Sequence, residues 1–342
     1  MRNRLKHIQL IALMAIAVIP FAQDYHFSQY YNAPLVFNPA NTGFMPDYDY
    51  RIGGNYRNQW SNIGSPFKTG SLWGDAKLFN KSFDNSWMGI GGMIMSDDAG
   101  GGSLNAYKGV VSVAYHQLLG DNTVLSGGLG LGMVNKRLNY NKLSFDDQWN
   151  GSFFDVTINP NEPIVYNSVF YMDLQAGVNL AFFPSDNVFI NMGAAAMHLN
   201  HPKESFYETT TSSDILKYRY TAFFNSSIKI ENLWILNPNI YVSKMGNVWE
   251  SVLGMTANRN LSGDGTSQLI LGLYYRVKDA AIPVIGFQMD DLKITFNYDA
   301  TVSTLSTFNG SQGAYEISII KSGILGSAES FGRSVKCPSM KF

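Results

Sequence analysis

The feature that most constrains this chain is the long alternating stretch FYMDLQAGVNLAFF, residues 170–183. Its even-numbered positions are all apolar, whereas its odd-numbered positions are mostly polar or small. Strict alternation predicts a β-strand with two unlike faces. Strands of soluble proteins usually run for about five or six residues, but a strand that crosses a bilayer needs roughly 9–11 tilted residues. The length and the uniform apolar face therefore favour a strand that faces lipid.

The same alternation recurs along the chain. Residues 104–118 place Tyr107, Val111, Val113 and Tyr115 on one side, and the stretch TVLSGGLGLGMV alternates large apolar residues with small ones. About fourteen such strands can be counted, and an even number suits an up-and-down barrel. The longest connections, residues 139–169, 199–216 and 300–313, are separated by short turns such as PSDN. We predict an all-β fold, a transmembrane up-and-down antiparallel β-barrel of about 14 strands.

Composition agrees with this fold and excludes several protein classes. Charged residues make up only 15% of the chain, against about a quarter in soluble domains. No run of about 20 apolar residues follows residue 22, so a helical membrane protein is excluded. A net charge of −1 gives no electrostatic reason to expect nucleic acid as a partner. A secreted β-sandwich or propeller is the alternative, but it would carry charged outer faces, and a propeller would show a fixed repeat.

The first residues have the pattern of an export signal. Arg2, Arg4 and Lys6 precede the apolar run Ile8–Phe21, which predicts a signal peptide over residues 1–22 that is cleaved on export to the outer membrane. A retained membrane anchor would need a longer apolar run. The only cysteine is Cys337, so no internal disulfide can form. The expected organisation is a signal peptide (1–22), an N-terminal plug or platform (23–46), a transmembrane barrel (47–322) and a C-terminal tail (323–342).

Motifs for catalysis or metal binding are not recognisable. His198 and His201 are three residues apart at a strand end, where they are expected to be two separate surface residues. The glycines of GGLGLG, Gly128, Gly130 and Gly132, do not have phosphate-binding spacing and are predicted to pack in a crowded lumen. An enzyme built on a barrel would depend on His116 as its base, but we expect His116 to be a lumen or interface residue. No enzymatic activity, cofactor or metal is predicted.

The segment that stands apart is QDYHFSQYYNAPLVFNPANTGF, residues 23–44. It is too polar to span a membrane, yet it contains Phe27, Tyr30, Tyr31 and Phe37. A disordered lead-in is the simplest alternative, but disordered segments are typically poor in aromatic residues. We therefore expect this segment to be buried in the lumen or against a partner.

Five stretches of the chain resemble a known family. They are FSQYYNAPLVFNPANTGF, RIGGNYRNQW, NYDATVSTL, GAYEISI and KCPSMKF, in this order. Together they resemble the PorP/SprF family of type IX secretion system outer-membrane proteins, from just after the signal peptide to the C-terminus. The matching positions that we assign to a plug or a partner-binding surface are Phe27, Ser28, Gln29, Tyr30, Asn38, Pro39, Tyr56, Arg57, Asn58, Gln59, Trp60, Tyr298, Asp299 and Glu316.

The resemblance implies a non-enzymatic outer-membrane barrel that works in type IX protein secretion or gliding motility. Its expected partners are outer-membrane lipid and either type IX components or a large secreted adhesin that it helps to export or to hold at the cell surface. No small-molecule substrate is expected, although a FadL-like or porin-like channel for small solutes is the alternative from another class. Because a charge in the lumen must be paired, Arg57 is expected to bond Asp299 or Glu316 and to fasten the N-terminal segment.

Overall fold

The computed structural model describes residues 25–325, except 62–65, 80–84, 101–102, 144, 156, 159–160, 162–165 and 209–213, together with residue 342. The predicted signal peptide and most of the predicted tail lie outside the described residues.

The described residues form one closed barrel of 14 antiparallel strands in which each strand pairs with its neighbours in sequence and β1 pairs with β14. The strands are β1 (Tyr50–Gln59), β2 (Phe67–Leu78), β3 (Ser86–Ala99), β4 (Leu104–Leu119), β5 (Thr123–Leu138), β6 (Ser168–Ser185), β7 (Val188–Met197), β8 (Arg219–Ile230), β9 (Trp234–Met245), β10 (Val248–Asn260), β11 (Ser267–Arg276), β12 (Ala280–Met289), β13 (Leu292–Thr301) and β14 (Gln312–Gly323). The predicted fold and strand number are confirmed, and the stretches 104–118 and 170–183 lie within β4 and β6.

The outer face of the barrel is apolar and the inner face is largely polar. In β6, Phe170, Met172 and Leu174 are exposed on the outside, whereas Asp173 and Gln175, on either side of Leu174, are buried inside. Lipid covers such outer side chains at no cost in hydration, and closure pairs every backbone group that water cannot reach. No helix in the part of the chain that the structure describes has the length and apolar character to cross a membrane.

The two ends of the barrel differ. At the end where β1 begins and β14 ends, which we call the turn end, connections are as short as residues 120–122, 186–187 and 290–291. The three longest connections, residues 139–167, 198–218 and 302–311, all lie at the opposite end, which we call the loop end. The short helices of these loops are Tyr140–Lys142, Asp146–Gln148 and Ser306–Asn309. The asymmetry predicted from the sequence is present.

Residues 25–49, which we call the plug, lie inside the barrel and cross it from one end to the other. The Tyr25 carbonyl accepts a hydrogen bond at 3.1 Å from Nη1 of Arg219, the first residue of β8, at the loop end. The Asp49 amide donates a 2.9 Å hydrogen bond to the carbonyl of Gly323, the last residue of β14, at the turn end. The plug therefore runs down the whole lumen before the chain enters β1.

The plug is built from three single helical turns, Tyr30–Asn32, Pro34–Phe37 and Pro39–Asn41. Proline at the first position of a helix is favoured, whereas a proline further along would interrupt it. Pro34 and Pro39 therefore start two of these turns, and each limits the length of the turn before it. The Asn38 side chain caps the last turn, accepting a hydrogen bond from the Ala40 amide at 2.8 Å.

The hydrophobic core lies between the plug and the inner wall. The ring of Tyr30 stacks on that of Tyr241 at 4.8 Å between centroids, and Phe37 meets the same ring edge-on at 5.0 Å. Residues 27–45 are all buried except Tyr31 and Pro34, which are half-buried. The plug thus supplies the apolar filling that the polar barrel wall lacks.

Candidate plug and partner-binding site

Four buried charged side chains from four strands converge on Ser28 of the plug. They are Arg57 of β1, Arg276 of β11, Asp299 of β13 and Glu316 of β14, and we call them the charged cluster. Arg57 and Glu316 are direct partners in the pairing of β1 with β14. The cluster therefore lies at the contact between the first and last strands of the barrel.

The cluster pairs its charges through Asp299 and Ser28. Arg57 Nη1 lies 2.9 Å from Asp299 Oδ2, and Arg276 Nη2 lies 2.6 Å from the same oxygen. The Ser28 hydroxyl accepts from Nη1 of both arginines, at 2.7 and 3.0 Å, and donates to Asp299 Oδ2 at 2.7 Å. Two guanidinium groups thus face two carboxyl groups, with a plug hydroxyl between them.

Glu316 binds the plug backbone directly. Its two carboxyl oxygens accept the amide N–H groups of Ser28 and Gln29 at 2.9 and 3.0 Å. Since a buried charge is tolerated only when it is paired and hydrogen-bonded, the plug backbone and Ser28 complete the pairing of the cluster.

Side-chain amides extend the cluster toward the turn end. The Gln29 amide donates to Asn297 Oδ1 at 2.7 Å, and Asn297 in turn donates to Asp299 Oδ1 at 2.8 Å. Asn32 donates to Gln29 Oε1 at 2.7 Å and to Thr295 Oγ1 at 2.9 Å. This chain of amides holds the first plug turn against β13.

The last plug turn and the residues that flank it rest against wall glycines, which we call the glycine seat: Gly89, Gly128, Gly177 and Gly193. A Cβ atom at Gly128 would lie 2.5 Å from the backbone of Pro39 and Ala40. The Asn38 amide, lying over Gly177 and Gly193, donates to the carbonyls of Val178 and Ala194 at 3.0 and 3.4 Å. The plug backbone approaches the wall here more closely than any other residue type would allow.

Beyond the glycine seat, Asp75 and His116 bind the part of the plug that is nearest the turn end. Asp75 accepts from the Gly43 amide at 2.7 Å and is paired with Arg51 at 2.7 Å. His116 is fully buried, with Nε2 2.8 Å from the Thr42 carbonyl and Nδ1 2.7 Å from Ser126 Oγ. Both ring nitrogens are thus occupied by structural contacts, which confirms His116 as a lumen residue.

The structure brings most of the predicted site residues together, but not all of them. Phe27, Ser28, Gln29, Tyr30, Asn38 and Pro39 belong to the buried plug, and Arg57, Asp299 and Glu316 bind it. Arg57 contacts both carboxyl groups that the sequence offered as partners.

The remaining predicted residues lie around the end of β1 rather than on the plug. Asn58 donates to the Tyr315 hydroxyl at 2.9 Å, and Gln59 accepts from Arg57 at 3.3 Å. Trp60 packs edge-on against Phe67 at 5.4 Å. Tyr56 and Tyr298 are exposed on the outside of the barrel at 41% and 37%.

One expectation for the histidines is wrong. His198 is not a surface residue but is buried, with Nδ1 2.9 Å from Asp173 Oδ1, and Asp173 is also paired with Lys108 at 2.9 Å. His201 is exposed, and its ring lies 4.0 Å from that of Tyr218. Within the described residues no three His, Cys, Asp or Glu side chains are grouped so that they could hold a metal ion.

Sequence reasoning missed Arg276, Asp75 and Thr295. Each occupies an inward-facing position of its strand. An ionic side chain at such a position needs a partner in the lumen, and that signal was available for Arg276 and Asp75. Nothing in the sequence signalled Thr295, whose hydroxyl is ordinary in a strand.

Comparison with known proteins identifies the family. A family model described as type IX secretion system membrane protein PorP/SprF matches residues 20–320. The chain belongs to the PorP/SprF family. No curated protein matches it significantly in sequence.

Solved structures place the fold of this PorP/SprF protein among outer-membrane barrels. The TodX deltaS2S3 mutant, a monoaromatic hydrocarbon channel, aligns over 84% of this chain and 92% of its own, with 12% identity and a TM-score of 0.50. The Ralstonia pickettii toluene transporter TbuX aligns over 85% and 94%, with 11% identity and a TM-score of 0.50. In such barrels the short turns face the periplasm and the long loops face outward. By this rule the turn end is expected to face the periplasm and the loop end the cell exterior.

Proposed function

We propose that this PorP/SprF protein is a non-enzymatic, partner-binding barrel of the type IX secretion or gliding machinery. It binds components of the apparatus or a large secreted adhesin, and it supports export or surface retention of that adhesin. A signal peptide cleaved after Ala22 directs it to the outer membrane, with residues 23–46 as the N-terminal plug or platform segment and 47–322 as the barrel. Residues 323–342 are the C-terminal tail, of which the first residue, Gly323, still belongs to β14.

The observation that carries the proposal is the filling of the lumen by the chain itself. A channel for small solutes needs a continuous path, but here the plug crosses the barrel from end to end and is fastened by the charged cluster and the glycine seat. What remains for function is the surface that the barrel offers to other molecules at its two ends. Membership of a secretion family supports the same interpretation.

Electrical recording separates this proposal from the FadL-like or porin-like alternative. The purified protein in a planar bilayer is expected to show no discrete conductance steps, because the plug blocks the lumen. A variant that keeps residues 1–24 but lacks 25–45 is expected to conduct ions, with an open porin as the positive control. Steps from the unmodified protein would favour the channel.

Co-purification tests the partner side of the proposal. The protein is extracted in mild detergent from native membranes, and the associated proteins are identified by mass spectrometry. We expect type IX components or one large adhesin to be enriched over a control barrel from the same membrane. Recovery of the protein alone, both before and after cross-linking in intact cells, would contradict partner binding.

A further inference from the structure

A chamber lies beneath the plug at the periplasmic end of the lumen. It has a volume of about 390 Å³, within the range of ligand-binding pockets. Its roof is formed by plug residues that include Tyr31, Pro34 and Phe44, and its wall by residues of several strands. Arg51, Phe189 and Lys293 are each the second residue of their strand. The chamber therefore opens toward the periplasm.

Two polar groups in this chamber have no hydrogen-bond or ion-pair partner among the described residues. The Lys293 side chain makes no ion pair or hydrogen bond within the described residues. Asn191, which is only 9% exposed, has a buried Oδ1 that accepts no hydrogen bond from them. Leaving a buried acceptor without a hydrogen bond costs roughly 1–3 kcal/mol. Neither group takes part in fastening the plug.

The rest of the lining indicates what kind of molecule fits. Trp73, Phe44, Phe189 and Ile320 provide apolar and aromatic surface. Among the described residues that line the chamber, the cations are Arg51 and Lys293. Arg51 is already paired with Asp75 at 2.7 Å, which leaves Lys293 for a ligand.

Asp47 and Asp291 also line the chamber, and their carboxyl groups disfavour a purely anionic lipid headgroup. A peptide suits this lining better, because its backbone N–H can donate to Asn191, an acidic side chain can reach Lys293, and apolar side chains can cover the aromatic wall.

We propose that this chamber binds an extended peptide segment of a periplasmic partner, with an acidic side chain on Lys293 and apolar neighbours against Phe189 and Ile320. The identity of that partner as a secretion component rests on the proposed function above. The binding itself belongs to the purified barrel and can be measured without secretion.

The test uses the full chain in detergent and a fluorescein-labelled, end-blocked peptide of sequence Ala-Leu-Glu-Phe-Ala, followed by fluorescence anisotropy. Replacing the peptide's Glu by Gln is expected to weaken binding about tenfold or more, as expected for loss of a charged hydrogen bond. Lys293→Gln is expected to cause the same loss for the Glu peptide and none for the Gln peptide. Lys321→Gln is the matched control, since Lys321 lies near the same end of the barrel but faces outward.

Equal affinities of Lys293→Gln and the unmodified protein for the Glu peptide would overturn the proposal. The proposal would also be overturned if phosphatidylglycerol nanodiscs or millimolar acetate displaced the peptide and the protein bound the Glu and Gln peptides equally. That result would assign the site to lipid or to a free anion.

Should Lys293→Gln fail to fold, a photoreactive benzophenone in place of the peptide's Phe gives an answer on the unmodified protein. Cross-links are expected at Phe189 or Ile320, assigned to single residues from fragment spectra, and cross-links confined to outward-facing residues would refute the site. If the peptide binds here but no secretion component co-purifies, the proposed function fails and the site stands. If components co-purify but the peptide does not bind, the site fails alone.

Discussion

Replacing Arg57 by alanine is expected to destabilise the barrel by about 3–5 kcal/mol, the usual cost of breaking a buried ion pair by removing one partner. The substitution removes the 2.9 Å contact with Asp299 and the 2.7 Å hydrogen bond to Ser28. It leaves the charged cluster with an excess negative charge in the lumen. The part of the plug nearest the loop end should then loosen and become sensitive to protease added at that end. The loss of stability is measured by urea unfolding in lipid vesicles, in which heat-modifiable gel mobility reports the folded fraction.

Two comparisons isolate the cause of that loss. Arg137→Ala removes an exposed arginine at the loop end and should change stability by less than about 0.5 kcal/mol. In the double variant Arg57→Ala with Glu316→Gln the cluster is neutral again, so its loss should be smaller than the sum of the two single losses. Unchanged mobility and unchanged protease resistance of Arg57→Ala would show that the cluster does not hold the plug.

Adding a single methyl group at Gly128 is expected to displace the last plug turn. The new Cβ of Gly128→Ala would lie 2.5 Å from backbone atoms of Pro39 and Ala40, which cannot rotate away as a flexible side chain would. Overpacking of this kind typically costs about 1–3 kcal/mol and occasionally more. We expect lower stability in urea and new protease cleavage within residues 34–45.

Gly127→Ala is the matched control for this substitution. Gly127 is the adjacent residue on the opposite face of β5, and a Cβ there meets no atom within 4 Å. Because alanine restricts the unfolded chain more than glycine does, Gly127→Ala should be neutral or slightly stabilising. Equal stability of the two variants would mean that the plug does not rest on the wall at Gly128.

The fold could be predicted from the sequence because lipid imposes one pattern on every strand. A spanning strand must be long and apolar on its outer face, and the strands together must close into a ring. The alternation of apolar residues and the length of each stretch were therefore enough to find all fourteen strands. The contact of Arg57 with its two carboxyl partners was predictable for a related reason, since an inward charge near the first strand must find a partner in the lumen.

The rest of the site could not be predicted, because its contacts join residues that are far apart in the sequence. Arg276 reaches Asp299 from β11, two strands away from β13, and no local pattern links the two residues. Gly128 was predicted to pack in the lumen, but the sequence did not show that a plug turn lies against it. His198 was misplaced because its position depends on Asp173, which lies on β6, and on a left-handed backbone at φ 61°.

The position of the charged cluster has a consequence for biogenesis. Arg57 and Glu316 face each other across the contact that turns an open sheet into a ring, and Ser28 completes their pairing from inside. Joining the first strand to the last therefore gains its full free energy only when the N-terminal segment is already in place. A cylinder of this sequence without its plug is therefore less stable than the filled one, so closing the ring and filling the lumen are energetically coupled.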